Sequence, residues 1–324
     1  MTFLTLHIGA HRCASTAIQH LLKANKDSLT QQGISLLYRS QLDQPGPIRA
    51  LPRLYAKRWF DPFARARLSR LGRELLDIGN AIISEENLCG MMPGQSDYTF
   101  YTGKRRLFKA ISVLKRDDRL QFRLVLMARR QDRFVESLYA FRVRRGEARS
   151  FSEFAGHFKP ARMDWNRFVM KAEAHGLSKD LHIGTIEGLS VDLVSDLFGQ
   201  KLQGALEGNE SMMPGHINLW RSLNEQGIAF SCDKQRRALV LALRAHGDVP
   251  SQREALLICD DIALAVRPDQ IEKALKASQS DPLPRFSEHE RQAFLTPLMA
   301  VNRIFLARDQ VRDDDPTRQR WLNV

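Results

Sequence analysis

Hydrophobic and polar positions divide the chain into short apolar runs and longer stretches with a helical repeat. Phe3 to Ile8 is a short apolar run that breaks at Gly9. A loop of small residues follows, Ala10 to Thr16, and then Ile18, Leu21 and Leu22 fall on one helical face. The pattern predicts strand, loop, helix. A second strand is predicted over Gly33–Tyr38. Residues 41–63 carry Pro45, Pro47, Pro52 and Pro62 and predict irregular chain. Within them, Leu54–Phe60 mixes aromatic and basic residues; the lining of an acceptor pocket and a loop pinned by its aromatics both fit. A helix over 64–77 places Leu68, Leu71, Leu75 and Leu76 on one side. Asn80–Ser84 predicts a buried strand running into Glu85, Glu86 and Asn87.

A helix about 103–116 begins with Lys104, Arg105 and Arg106, and Phe122–Ala128 is the clearest central strand. It runs into a helix with Phe134, Ser137, Leu138 and Phe141 on one face, and Arg142, Arg144 and Arg145 close it before Gly146. Residues 147–163 predict a basic loop or short helix. A helix over 165–175 stops at Gly176, a C-cap residue. Leu181–Glu187 predicts a strand and Val191–Phe198 a short helix. The remainder is helical. Its last long helix is expected over 287–309, opened by the capping box Ser287-x-x-Glu290. Arg312–Thr317 is charged and expected to be loose.

Strands alternating with helices predict an α/β fold: a central parallel sheet flanked by helices, with a helical C-terminal part. No internal repeat and no low-complexity linker interrupts it. One domain is expected over 1–310, with a charged tail over 311–324.

Charge changes the picture more than composition does. The net charge of +12, from 49 basic against 37 acidic residues, favours anionic partners. A nucleotide, an acidic glycan, an anionic membrane surface or a nucleic acid all qualify. No nucleic-acid module signature is present, so no nucleic-acid partner is expected. No apolar run approaches the ~20 residues of a membrane span. The first strand starts almost at Met1, which leaves no room for a removable presequence. Cys13, Cys89, Cys232 and Cys259 lie far apart without C-x-x-C spacing. That argues against a zinc site or a disulfide framework and fits the reducing cytoplasm.

Gly9, Ala10, His11, Arg12, Cys13, Ala14, Ser15 and Thr16 read as a phosphate cradle. Loop amides and the free N–H groups of a helix start favour an anion there. Arg12 adds a full charge, and Ser15 and Thr16 offer hydroxyls that can cap the helix. The ATP-type loop G-x-x-x-x-G-K-[ST] would need Lys at Ser15, and that Lys is missing. Mg²⁺-dependent kinase or ATPase chemistry is thereby disfavoured.

The run H-I-G-A-H-R-C-A-S-T resembles the 5′-phosphosulfate loop of sulfotransferases that use 3′-phosphoadenosine 5′-phosphosulfate (PAPS). Cys13 and Ala14 stand where many members carry Thr or Ser and Gly. A second motif agrees: Arg129-x7-Ser137 is similar to the family's site for the 3′-phosphate, and R-R-Q-D is similar to a bacterial branch. A guanidinium can hold such a phosphate with two hydrogen bonds. Arg133 could add a phosphate contact or pair with Asp132 or Glu136. The segment 184–189, the run Asn209-Glu210-Ser211 and Asn302 in the last helix extend the likeness over most of the chain.

The resemblance implies a P-loop-like sulfotransferase fold and in-line transfer of a sulfuryl group from PAPS, without a metal, to an acceptor hydroxyl or amine. It assigns Gly9–Thr16, Arg129 and Ser137 to PAPS and gives Arg12 the charge that builds on the leaving oxygen. Glu86, Glu85 and His11 are the candidates for the base, Glu86 favoured. Cys13 reads as a space-filler, and His7 and His20 as packing residues. A glycan or lipid-linked saccharide is the expected acceptor, with peripheral contact to an anionic membrane open. A small metabolite or peptide tyrosine stays open too. The alternatives are a P-loop-type phosphoryl transferase and a non-catalytic protein that binds anionic polymers.

Overall fold

In the computed structural model of the protein, the described residues are 1–38, 64–94, 98–206, 214–228, 267–280 and 284–322. The segments 41–63 and Asn209-Glu210-Ser211 lie outside them, as do Cys232 and Cys259. The chain divides into two compact units. One comprises Met1–Gln131, Lys159–Asn209 and Gln292–Val324; the other comprises Asp132–Phe158 and Glu210–Arg291.

The first unit is built on five parallel strands: β1 (Thr2–His7), β2 (Ser35–Tyr38), β3 (Ala81–Ser84), β4 (Leu120–Ala128) and β5 (Leu181–Thr185). Their order is β2-β3-β1-β4-β5. Leu6 of β1 stands opposite Ile83 on one side and Leu124 on the other. Leu126 of β4 stands opposite Ile183 of β5. Both sides of the central strands are buried, as parallel sheets require. The α/β class, the helical flanks and the helical C-terminal part are as the alternation predicts.

Helices α1 (Ser15–Ala24), α2 (Lys26–Gln31), α3 (Ala64–Ile78) and α4 (Lys104–Leu114) lie between the first four strands in sequence. Ile18, Leu21 and Leu22 of α1 and Leu107, Phe108 and Ile111 of α4 are among the buried positions. Next come α5 (Gln131–Val143), α6 (Phe151–Gly156), α7 (Asn166–Glu173) and α8 (Val191–Phe198). The capping box Ser150/Glu153 fixes α6, so the basic 147–163 stretch is partly helical.

The order of the strands positions a site. All strands are parallel, so their carboxyl ends share one edge. From β1 the chain first builds one side of the sheet, β2 and β3, and then crosses to β4 and β5 on the other. The carboxyl ends of β1 and β4 therefore flank the switch point, where open α/β sheets bind ligands.

In the second unit, α9 (Pro214–Glu225) packs against α10 (Pro268–Ser280). The Asn224 amide donates to the carbonyls of Val143 and Glu147, at 2.8 and 2.9 Å. Arg291 lies 3.5 Å from buried Asp132 and 3.1 Å from Glu136. Arg133 pairs with Glu136 at 3.0 Å, one of the roles open to it from sequence.

Two expectations are corrected near the C-terminus. The long helix over 287–309 is broken into α11 (Glu288–Leu295), a 3₁₀ turn Thr296–Leu298 and α12 (Met299–Leu306). Pro297 is the cause: it lacks the N–H that the ladder needs and crowds the preceding turn. The capping box itself forms, with Ser287 N–H donating to Glu290 at 2.8 Å. Nor is Arg312–Thr317 loose. Val311 bridges Ile183 beside β5, and Asp313 accepts the Thr185 N–H at 3.0 Å. Helix α13 (Asp315–Leu322) follows, with Trp321 fully buried. Its buried Thr317 and Trp321 lie one turn apart with Arg318 and Arg320 between them, so the composition reads as charged.

Candidate anion-binding site

The loop after β1 is shaped by its backbone. Gly9, Arg12 and Ala14 have φ of 94°, 63° and 62°. At Gly9 a Cβ would also lie 2.9 Å from the Glu86 carbonyl oxygen, so only glycine fits. This close approach sets the exit of β1 against the turn after β3. The left-handed Arg12 and Ala14 flank Cys13, and such an alternation in the sign of φ turns successive amides toward one point, an anion-binding nest.

Ala14 is the N-cap of α1 and provides no side-chain cap; neither does Ser15 or Thr16. The buried Ser15 hydroxyl donates instead to the Ala10 carbonyl at 3.1 Å. Thr16 is exposed. The first-turn amides of Ser15, Thr16 and Ala17 are left without helical acceptors. Other loop amides are engaged: Ala10 N–H with Met127, Cys13 N–H with Ala10, and His11 N–H with the Tyr101 hydroxyl at 2.8 Å.

Arg129 leaves the end of β4 and reaches this loop. Its Nη1 donates to the Arg12 carbonyl at 3.1 Å, and its own carbonyl accepts from Trp165 Nε1 at 2.9 Å. Arg129 Nε is buried without a hydrogen-bond partner among the described residues. Beside it, burial raises the Glu187 carboxyl above its ordinary range, opposed by hydrogen bonds from Trp321 and the Arg130 amide and by the charge of Arg129. The Trp321 Nε1 contact is 2.5 Å. Arg130 in turn donates to the Arg320 carbonyl at 3.0 Å. Thus the C-terminal helix braces the strand ends that carry the arginines.

The candidate bases differ in their surroundings. Glu85 is buried, and its Oε1 accepts from Asn87 N and Nδ2 at 2.9 and 2.6 Å, capping the 3₁₀ turn Glu86–Cys89. His11 is buried, with Nε2 3.0 Å from Asn87 Oδ1 and its ring parallel to Tyr101 at 5.9 Å. Glu86 is partly exposed, and its own backbone makes the close approach to Gly9. Cys13 is fully buried, and desolvation drives its thiol far above the usual range, so it stays protonated. Ser137 lies in α5, in the second unit, and is partly exposed.

His7 sits behind the loop. It is buried, Nδ1 lies 2.8 Å from the Ser84 hydroxyl, and burial lowers its pKa to about 4. His20 is exposed. Tyr101, Asn87, Trp165 and Glu187 are the supporting residues that sequence did not single out as site residues. Of these, Asn87 and Glu187 have a signal, each at the end of a predicted strand. Among the described residues no cluster of three His, Cys, Asp or Glu side chains could hold a metal ion. No family model, characterised protein or solved structure matches the chain.

Proposed function

We propose that the protein is a cytoplasmic, PAPS-dependent sulfotransferase with a P-loop-like fold. The acceptor offers a hydroxyl or an amine, on a glycan or lipid-linked saccharide. The observation that carries the proposal is the 3.1 Å hydrogen bond from Arg129 to the Arg12 carbonyl. It joins two motifs far apart in sequence, each of which resembles half of the family's donor site. The strand order supports the reading by setting the loops after β1 and β4 side by side at the switch point.

The residues present fit the donor. The nest and the first-turn amides of α1 supply N–H groups for a 5′-phosphosulfate, and Arg12 supplies charge. Arg129 Nε, buried and without a hydrogen-bond partner among the described residues, offers a donor for the 3′-phosphate. Ser137 enters on the sequence motif alone. PAPS, when bound, supplies the sulfuryl group and departs as adenosine 3′,5′-bisphosphate. Arg12 is always charged, so its contribution is electrostatic and not proton donation. Glu86 takes the acceptor proton, because Glu85 is occupied as a cap and His11 is held by Asn87 and Tyr101. The reading requires no metal.

The test is transfer from labelled PAPS to components of a cell extract, followed by identification of the labelled product. Arg12→Ala should lower the rate by ~10²–10³, the usual effect of losing one such stabiliser. Transfer of phosphate from ATP with Mg²⁺, and none from PAPS, would replace the proposal with the phosphoryl-transferase alternative.

A further inference from the structure

Helices α4 and α7 lie side by side in the first unit, with Phe108 meeting Phe168 edge to face at 5.1 Å. Their outward surface is basic. Helix α4 contains Lys104, Arg105, Arg106 and Lys109 and no acidic residue. On α7, Arg167 and Lys171 are one turn apart, and His175 is one turn further along the chain. Arg105 and Lys109 repeat the spacing. Like charges at this spacing work against a helix, where Glu–Lys pairs would support it. The basic groups of both helices converge: His175 is lowered below its ordinary range first by burial, then by Lys171, Arg105 and Lys109. Glu173 pairs with Arg308 at 2.5 Å, and Asp164 lies 3.7 Å from the exposed Arg167.

Apolar exposure coincides with this charge. Met170, between Arg167 and Lys171 on α7, is 52% exposed. Ile304 is equally exposed on α12, which packs on α7. A soluble polyanion has no use for such side chains, whereas a bilayer interface takes cations and apolar groups together. Among the described residues no helix is long and apolar enough to cross a membrane, so such contact would be peripheral.

We infer that the α4–α7 face docks on a bilayer that carries anionic headgroups. Arg105, Arg167 and Lys171 lie against the headgroup phosphates and carboxylates, and Met170 enters the interface. The face adjoins the candidate site: Tyr101, just before α4, bonds His11, and Trp165, just before α7, bonds Arg129. This inference does not depend on the sulfotransferase reading.

Co-sedimentation of the full chain with vesicles tests it, comparing phosphatidylcholine alone with mixtures holding about 30% phosphatidylserine at about 0.1 M salt. Binding is expected only to the mixed vesicles. Each cation removed should lower partitioning about fivefold, so Arg105→Gln/Arg167→Gln/Lys171→Gln should lower it about a hundredfold. The charge-matched Lys26→Gln/Arg73→Gln/Lys201→Gln variant, altered at exposed positions elsewhere, should keep most of the binding. Met170→Ser should weaken vesicle binding and leave retention on heparin unchanged. It also serves as the second test if the triple variant loses its native circular dichroism. Equal losses in the two triple variants would overturn the inference in favour of net charge. Retention on heparin without vesicle binding would overturn it in favour of a soluble polyanion.

Discussion

His7 and Ser84 tie the carboxyl ends of β1 and β3 together through one buried hydrogen bond of 2.8 Å. Gln19 donates to the same hydroxyl at 3.2 Å, so the Ser84 proton is available to His7 Nδ1. The imidazole then carries its own proton on Nε2, which has no partner among the described residues. A second proton has nowhere favourable to go. With the folded pKa lowered to about 4 from 6.5, the neutral ring supports the fold fully above pH 6.5, and this support is lost as pH falls through 4. The predicted loss between pH 7 and pH 4 is on the order of 3 kcal/mol. Urea midpoints across that range should show it, and His7→Gln should remove this part of the acid slope. Equal acid slopes in the two proteins would contradict the assignment.

At the same scale, Ala14 shows what the sequence could and could not tell. It stands where the resembled loop carries glycine. Its φ of 62° shows why glycine suits that position: a left-handed alanine costs roughly 1–2 kcal/mol. The need for glycine at Gly9 is visible only as a break in an apolar run; its second cause, the Glu86 carbonyl, comes from the turn after β3, far along the chain. Tyr101 leaves no sequence signal because its bond to the His11 amide is fixed by tertiary packing, and Asn87, visible at a strand end, does not reveal its contact with His11 for the same reason.

Among the elements, the strands were legible because each central one is apolar on both sides. Leu181–Glu187 was read too long by its last two residues, which form a 3₁₀ turn, Ile186–Gly188. The sequence predicts one helix here because Phe294, Leu295, Leu298, Val301 and Phe305 keep a helical repeat across Pro297, where the structure breaks it. Composition hides the packing of the C-terminal segment: charged residues surround Val311, Asp313, Thr317 and Trp321, which are buried. Asp313 is raised above its ordinary range by burial, opposed by the Thr185 hydrogen bond. Because α13 braces β5 through Glu187, Trp321→Ala should be severe. It should cost about 3–5 kcal/mol, the usual penalty for emptying a buried tryptophan site. Guanidinium unfolding measures this, and a loss under about 1 kcal/mol would show that the segment is not part of the core.

For the whole molecule, a strongly positive chain presents loops from β1 and β4 at the switch point of a parallel sheet, and a basic helical face adjoins them. The sheet is readable from periodicity, and the place of the two loops at strand ends from the strand-to-helix junctions. The bracing by α13 was not, since Glu187 and Trp321 are 134 residues apart. We propose that this arrangement grips a nucleotide with phosphates at both the 3′ and 5′ positions. Calorimetric titration with adenosine 3′,5′-bisphosphate, in chelator and free of Mg²⁺, tests it most directly. Binding is predicted, with a loss of tenfold or more in Arg129→Ala, on the scale of one charge-assisted hydrogen bond. Absence of binding at millimolar bisphosphate, or equal affinity in Arg129→Ala, would contradict the account.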